Sequence, residues 1–470
     1  MSALSHYLQQ QQFCLVLEQI VSKRTELPPI STLAGLPCVM AFADRVHADD
    51  DPSPITLAQS VSPEQAKLLH FSGKARDVKD LQQFVEQAKQ QNLHDVLLLT
   101  GDKLKQHNFG HTDPRQRTRY LESVSALMWV KAHAPEMYCG VAFNPFKYTE
   151  SEEQAQYLKF EKKQRAGADF VITQLGYDLN KILKFKQFVD ASAQPCPVLA
   201  CVMPLTYRRA KFMVKQQVAG IEISRHLLQH LKAELQENAA WAEQRVYARA
   251  ALQIWIYRHW GLAGIHVSGC QNPEQQALLE QAMAQYQTWT LEQCLMEWNR
   301  LCKIVRGDEM QPDLSAAYPQ RQASVLKYQV LQVTHDWLFD STLAQKIGRF
   351  VFQRQFWQQG LAAKSILAVE HASKHAVVGC ESCGQCRLAE TLYICPETCP
   401  KGLANGPCGG TRLDRCEFAD RECIHSQKYR LAKQVRQQDI LRYELIPAVP
   451  VEIRQTSSWV NWFNPKVIDF

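Results

Sequence analysis

Eight of the 16 cysteines crowd into one stretch near the C-terminus: Cys380, Cys383, Cys386, Cys395, Cys399, Cys408, Cys416 and Cys423. They follow the pattern C-x2-C-x2-C-x8-C-x3-C-x8-C-x7-C-x6-C. Thiolates two or three residues apart can converge on one metal, because a tight turn aims both sulfurs inward. Gly384, Gly406, Gly409 and Gly410 permit such turns. Eight sulfurs suit two four-cysteine sites, against the blander reading of disulfides or loose thiols. The opening C-x2-C-x2-C, followed by Cys395-Pro396, resembles iron–sulfur ligation. Pairs spaced C-x2-C serve zinc as well. An iron–sulfur centre would admit electrons; zinc would act as a clamp.

A second set of candidates stands at the C-terminal ends of short apolar runs: Glu18, Asp44, His70, Asp102, Asn144, Gln174 and His266. The runs cover 13–18, 37–44, 67–72, 95–102, 138–146, 169–175, 197–204 and 264–269. Each has strand length and many β-branched or aromatic residues. Amphipathic stretches separate them. In 77–92, Leu81, Phe84, Val85 and Ala88 share one face; 151–168 opens acidic, turns basic and stops at a Gly. Eight strands alternating with helices predict a (β/α)8 barrel, which builds its active site at the strand C-terminal ends. A doubly wound sheet is the rival, but neither GxGxxG nor GxxxxGK[ST] occurs. Any one of these polar residues could simply cap a helix; seven on one rim point to a site.

The rest of the chain bounds the problem. Its 470 residues suffice for two or three domains, and 46% hydrophobic with 21% charged residues is ordinary for a globular protein. A net charge of +6 is too small and too spread to indicate nucleic acid. No run of 18 apolar residues suggests a membrane span, and no basic start followed by an apolar core marks a signal peptide. The expected compartment is the reducing cytoplasm, where dense cysteines hold metal. Cys14, Cys139, Cys196 and Cys201 lie in or beside apolar runs and read as buried small hydrophobes.

After Asn272 helical patterns dominate, with a long one over 342–375 and a polar connector at 307–322. Trp289, Trp298, Trp337 and Trp357 read as core or interface anchors. The basic helix 427–438 reads as a solvated face. The apolar tail 459–470 is expected to dock on its own chain or on a partner. The domains read as a barrel over 1–271, a helical connector over 272–375, a cysteine-rich metal-binding domain over 376–440 and a tail over 441–470.

Several runs resemble methylenetetrahydrofolate reductase. DVLLLTGD (95–102) is similar to that family's fourth strand, and EKKQRAGADFVITQLGYD (161–178) to its sixth. LACVMPLT, LAGIHVSG and KLLHFSGKARDVKDL are similar to its seventh, eighth and third. CESCGQC, CPETCPKGLANGPCGG and the cysteines after them resemble the cysteine-rich domain attached to some of these reductases or carried by their partner subunit. The fifth strand departs from the family, ending in Phe143-Asn144-Pro145-Phe146-Lys147 where a Tyr-Pro-Glu-like turn is usual.

The resemblance implies a flavin (FAD, or FMN) and reduction of 5,10-methylenetetrahydrofolate to 5-methyltetrahydrofolate. It implies Glu18 as general acid, Asp102 beside the flavin, Lys163 at its phosphate or ribityl region, His70 bordering it and Gln174 on the pterin. The electron donor would be NADH or a redox partner protein, in a homo- or hetero-oligomer. Two other readings stay open: a flavin-free folate-binding one-carbon transfer component, and a non-catalytic subunit that docks an electron-transfer partner.

Overall fold

The computed structural model describes residues 2–20, 28–46, 51–103, 120–419 and 421–464. Eight parallel strands form the core: β1 (Cys14–Gln19), β2 (Leu36–Phe42), β3 (Lys67–Ser72), β4 (Asp95–Leu99), β5 (Tyr138–Phe143), β6 (Phe170–Leu175), β7 (Val198–Val202) and β8 (Gly264–Val267). Each pairs with the next, and β1 pairs with both β2 and β8, so the sheet closes on itself. This is the α/β barrel that the alternation of runs predicts, followed by helices and a small C-terminal domain.

Side chains alternate across each strand. One set faces inward and packs as a single cluster that includes Cys14, Val16, Leu68, Phe170, Ile172 and Leu199. The helix Ala3–Gln9 adds Leu4 and Leu8 to that cluster and so closes the end opposite the active-site rim. The other set joins the larger core beneath the surrounding helices. Each fully buried Leu, Val or Phe contributes about 1.5–3 kcal/mol. Gly140 is fixed by this packing, since a Cβ there would lie 2.2 Å from the Phe170 ring.

The surrounding helices begin at clear caps. Asp77 and Asp80 form a capping box on Val78–Gln90, which buries Leu81, Phe84, Val85 and Ala88 as their spacing predicts. Thr149 and Glu152 do the same for Glu150–Arg165. That helix buries Gln156, Lys159, Lys162 and Lys163 as well. The reason lies at the other end of the sequence: the helix Ile424–Val435 packs along it. The basic stretch 427–438 is solvated on one side only: Lys428 is fully buried, whereas Lys433 and Arg436 are exposed.

The helical run expected over 342–375 is broken. Thr342–Phe352 stops, a short turn covers Gln355–Trp357, and Gly360–Val378 restarts from Gly360 at φ +75°. Trp298 is buried as expected of an anchor, but Trp337 is 72% exposed. Cys14, Cys139 and Cys201 are buried and Cys196 is half-buried. The tail folds onto its own chain as far as residue 464, with Phe463 buried against Gly348; residues 465–470 lie outside the described residues.

Candidate functional site

Period-two alternation carries the inward faces up to the barrel's C-terminal mouth. Counting from Cys14 and Val16, β1 turns Glu18 inward; β6 is inward at Phe170 and Ile172 and carries Gln174 just beyond them. Ser268, just past β8, donates to Glu18 Oε2 at 2.7 Å. Its Oγ also lies 3.5 Å from His266 Nδ1, and the His266 ring stacks on His70 with centroids 5.7 Å apart. Glu18, Ser268, His266 and His70 thus form one polar chain inside the mouth. Burial, and then the charge of His266, push His70 down to about 3, so it is neutral. Burial lowers His266 too, against the pull of Glu18. The Nε2 atoms of both histidines are buried without a hydrogen-bond partner. Inside a barrel mouth, such atoms are free to meet a polar ligand.

Gln174 sits at an irregularity in the β6–β7 register, between Ile172 and Leu175. Bulges of this kind re-aim side chains beside active sites. Here the Leu175 amide donates to Gln174 Oε1 at 2.8 Å, and Gln174 Nε2 donates to the Ala219 carbonyl at 3.3 Å. Asp102 lies at solvent in a crowded recess beyond β4. Burial, and then Glu417, raise its pKa while Lys401 and Lys74 oppose them. Lys163 is buried, and its Nζ donates to the Ala142 carbonyl of β5. Asp44 stands apart from this group: it pairs with Arg76 and accepts from the Ser72 amide at 2.7 Å, which is a structural role.

The cysteine-rich segment is seated on this same mouth. Asn144 Nδ2 donates to the Gly409 carbonyl at 2.7 Å and to the Gly220 carbonyl at 2.8 Å. Lys147 Nζ donates to Gly409 at 2.9 Å and to the Thr411 carbonyl. Asn144 and Lys147 belong to the fifth-strand end that departs from the resembled family. Gly220, at φ +73°, has no room for a Cβ, which would fall 2.5 Å from the Gly409 oxygen. Lys401 pairs with Glu417 at 2.6 Å and donates to the Gly101 carbonyl, while Glu417 accepts from the Lys103 amide. Buried Glu122 accepts from the Ala404 and Asn405 amides and pairs with Lys159 at 2.7 Å. Between the segment and the barrel loops lies a cavity of about 330 Å³, bordered by Lys147, Gly220, Glu222, Arg412, Cys416 and Glu417.

Seven of the eight thiols fall into two neighbourhoods, and Cys416 borders the larger cavity. Cys380, Cys383, Cys386 and Cys395 line one small cavity with Lys374 and Arg387. Cys399, Cys408 and Cys423 feel one another's charge in a second. Cys408 Sγ lies 3.2 Å from Glu417 Oε2, which ties the second group to the Asp102 recess. None of the eight is in a disulfide. Burial raises Cys380, Cys399, Cys408 and Cys423, and pushes Cys383 up to about 11 and Cys395 to about 12. Lys428 stands between the two groups, facing Cys399 and Cys395. Its Nζ is buried with no hydrogen-bond partner, and burial lowers it to about 7 against the pull of those thiols. Among the described residues, one set of three or more His, Cys, Asp or Glu has all its ligand atoms within 4.8 Å of one another: His335, Asp336 and Asp340, far along the chain from the thiols.

Sequence reading missed Glu122, Lys147, Lys401, Glu417 and Lys428. Two signals were present. Lys401 and Glu417 are charges set among the cysteines, and Lys147 falls where the fifth strand departs from its relatives.

Comparison with known proteins agrees with this two-part layout. Residues 54–278 match the family model described as Methylenetetrahydrofolate reductase. Residues 361–451 match one described as Methylene-tetrahydrofolate reductase C terminal. Methylenetetrahydrofolate reductase 1 of Schizosaccharomyces pombe is 26% identical over 154 residues, covering 31% of this chain and 24% of its own. Methylenetetrahydrofolate reductase 2 of that yeast is 25% identical over 185 residues, covering 37% and 28%. A probable methylenetetrahydrofolate reductase (NADPH) of Caenorhabditis elegans is 25% identical over 202 residues, covering 40% and 29%. The match thus spans under a third of each curated relative. In its barrel and in its C-terminal part alike, the chain is a family-level match to the methylenetetrahydrofolate reductases.

Proposed function

We propose that the chain is a flavin-dependent reductase that converts 5,10-methylenetetrahydrofolate to 5-methyltetrahydrofolate. The observation that carries this reading is the inward carboxyl of Glu18, held at one oxygen by Ser268 within a buried chain that ends in two unpartnered histidine nitrogens. The methylene carbon of the substrate bridges two nitrogens. Opening that ring requires a proton on one of them. Glu18 is the acid: Ser268 orients its carboxyl and leaves Oε1 for the substrate. Gln174, re-aimed by the register shift, would bind the pterin edge by exchanging its bond to Ala219. The chemistry a flavin would supply here, when bound, is the hydride for the opened methylene carbon. His70 would border it, and Asp102 would lie beside it and stabilise the cationic iminium. Lys163 would reach its phosphate by releasing the Ala142 carbonyl.

In this reading the thiols of the cysteine-rich domain would hold metal, and from its seat on the mouth that domain would pass electrons from a reduced partner protein to the barrel. Four sulfurs around one zinc at 2.3 Å would stand roughly 3.8 Å apart. No three of the eight thiols lie within 4.8 Å of one another, so binding a metal there would draw the sulfurs together. A non-catalytic docking subunit is the second reading, favoured by the engagement of Gln174 with Ala219 and of Asn144 with Gly409.

Glu18→Gln separates them. It is expected to bind methyltetrahydrofolate as the wild type does and to lose reduction. Wild-type turnover in this variant would remove Glu18 from the acid role. A wild-type protein that binds folate but never turns over would favour the docking subunit.

A further inference from the structure

Soluble chains bury most large apolar side chains, and the largest apolar patch of a typical monomer is about 300–600 Å². This chain breaks that pattern in one place. Of 22 exposed large apolar residues among the described residues, 12 fall between positions 326 and 377. They recur at helical spacing: Leu326, Val330, Val333 and Trp337 at steps of four, three and four, then Leu343, Ile347 and Phe350 at steps of four and three. Trp337 and Phe350 are each 72% exposed. The helices that carry these stripes, Val325–His335 and Thr342–Phe352, lie between the two stretches matched by the family models. An amphipathic helix normally turns such a stripe toward its own core. Here the stripes face outward, and an apolar cavity of about 200 Å³ opens among Leu331, Leu338, Val377, Trp459 and Trp462.

We propose that this helical face is covered by a second copy of the chain, in a two-fold dimer. Area is the first argument. The seven stripe residues, each more than half exposed, present on the order of 700 Å² of apolar surface. A stable interface needs about 800 Å² from each partner, whereas redox encounters use less. Charge is the second. Exposed Asp336 and Asp340 stand at the turn between the two stripes, and exposed Lys346, Arg349 and Arg354 stand further along. A partner of single sign would be repelled by one of these groups. Two copies related by a two-fold axis place the acidic group of each against the basic group of the other, as a self-complementary interface requires. Trp337, central in this sequence of apolar positions, is the residue type that most often anchors such contacts.

The test is sedimentation of the full chain, metal included, at micromolar concentration. The expected species has twice the 53.8 kDa chain mass. Val333→Glu and Ile347→Glu are each expected to weaken association about 30-fold or more. Both sites are exposed in the single chain, so circular dichroism and the melting profile of the monomer should stay those of the wild type. Phe212→Glu changes an apolar residue that is 60% exposed outside the patch, and it should leave the dimer intact. A wild-type protein that sediments as a single chain overturns the proposal, even if it captures some other protein. So does a dimer that persists in both stripe variants, or one that Phe212→Glu dissolves equally.

Discussion

Glu122→Gln tests the join between the barrel and the cysteine-rich domain. Glu122 is 6% exposed and lies just before the helix Ser123–His133. Its carboxylate pairs with Lys159, itself 3% exposed, and accepts from the amides of Ala404 and Asn405. Gln keeps the shape and one accepting oxygen but removes the charge. Lys159 then remains buried with the Gly406 carbonyl and no counter-charge. Breaking a buried pair on one side costs about 3–5 kcal/mol. The pH dependence has a definite sign. Burial alone would raise the Glu122 pKa, but Lys159 and the two amides outweigh it and hold it below the ordinary value. A depressed folded-state pKa gives stability that is present above the unfolded pKa and is lost as the pH falls through the folded one. The assay is urea denaturation at neutral and at acid pH, with proteolysis reporting release of the C-terminal domain. The variant should lose about 3–5 kcal/mol at pH 7 and show a flatter acid limb. Glu122→Gln with Lys159→Met should recover part of the loss. A single variant within about 0.5 kcal/mol of wild type, with the domain equally protected, would refute the reasoning.

Cys383→Ser should remove the metal held by the group that includes Cys380, Cys386 and Cys395 and spare the other; metal analysis that finds unchanged content excludes Cys383 as a ligand. Lys428→Met keeps the volume of a buried side chain but removes the cation between the two thiol groups, so metal retention under chelator challenge should fall while the metal-free fold is no less stable. Retention equal to wild type would show that Lys428 does not balance thiolate charge.

Much of the barrel was legible because its strands are buried on both faces, and such runs stand out as short, β-branched and apolar. The inward phase of Glu18 follows from the same alternation, but the register shift that re-aims Gln174 breaks it. The buried lysines of Glu150–Arg165 did not read as buried, because their partners Glu122, Gly406 and the Ile424–Val435 helix lie far away in sequence. Lys147 was hidden for the same reason, since it is a surface-like residue until Gly409 and Thr411 arrive from the C-terminal domain. Asp44 stood on the expected rim, but Arg76 claims it. The exposed stripes of Val325–His335 and Thr342–Phe352 have the spacing of core-facing helices, and nothing in their pattern says that this core belongs to another chain.

The proposed reduction requires a flavin and a metal-bearing domain to meet at the barrel mouth. The most direct measurement is the absorption spectrum and metal content of protein purified without oxygen, then mixed with methyltetrahydrofolate. The account predicts yellow flavin bands that bleach on mixing, over a broad iron–sulfur background. A colourless zinc protein that binds folate with no spectral change would contradict it.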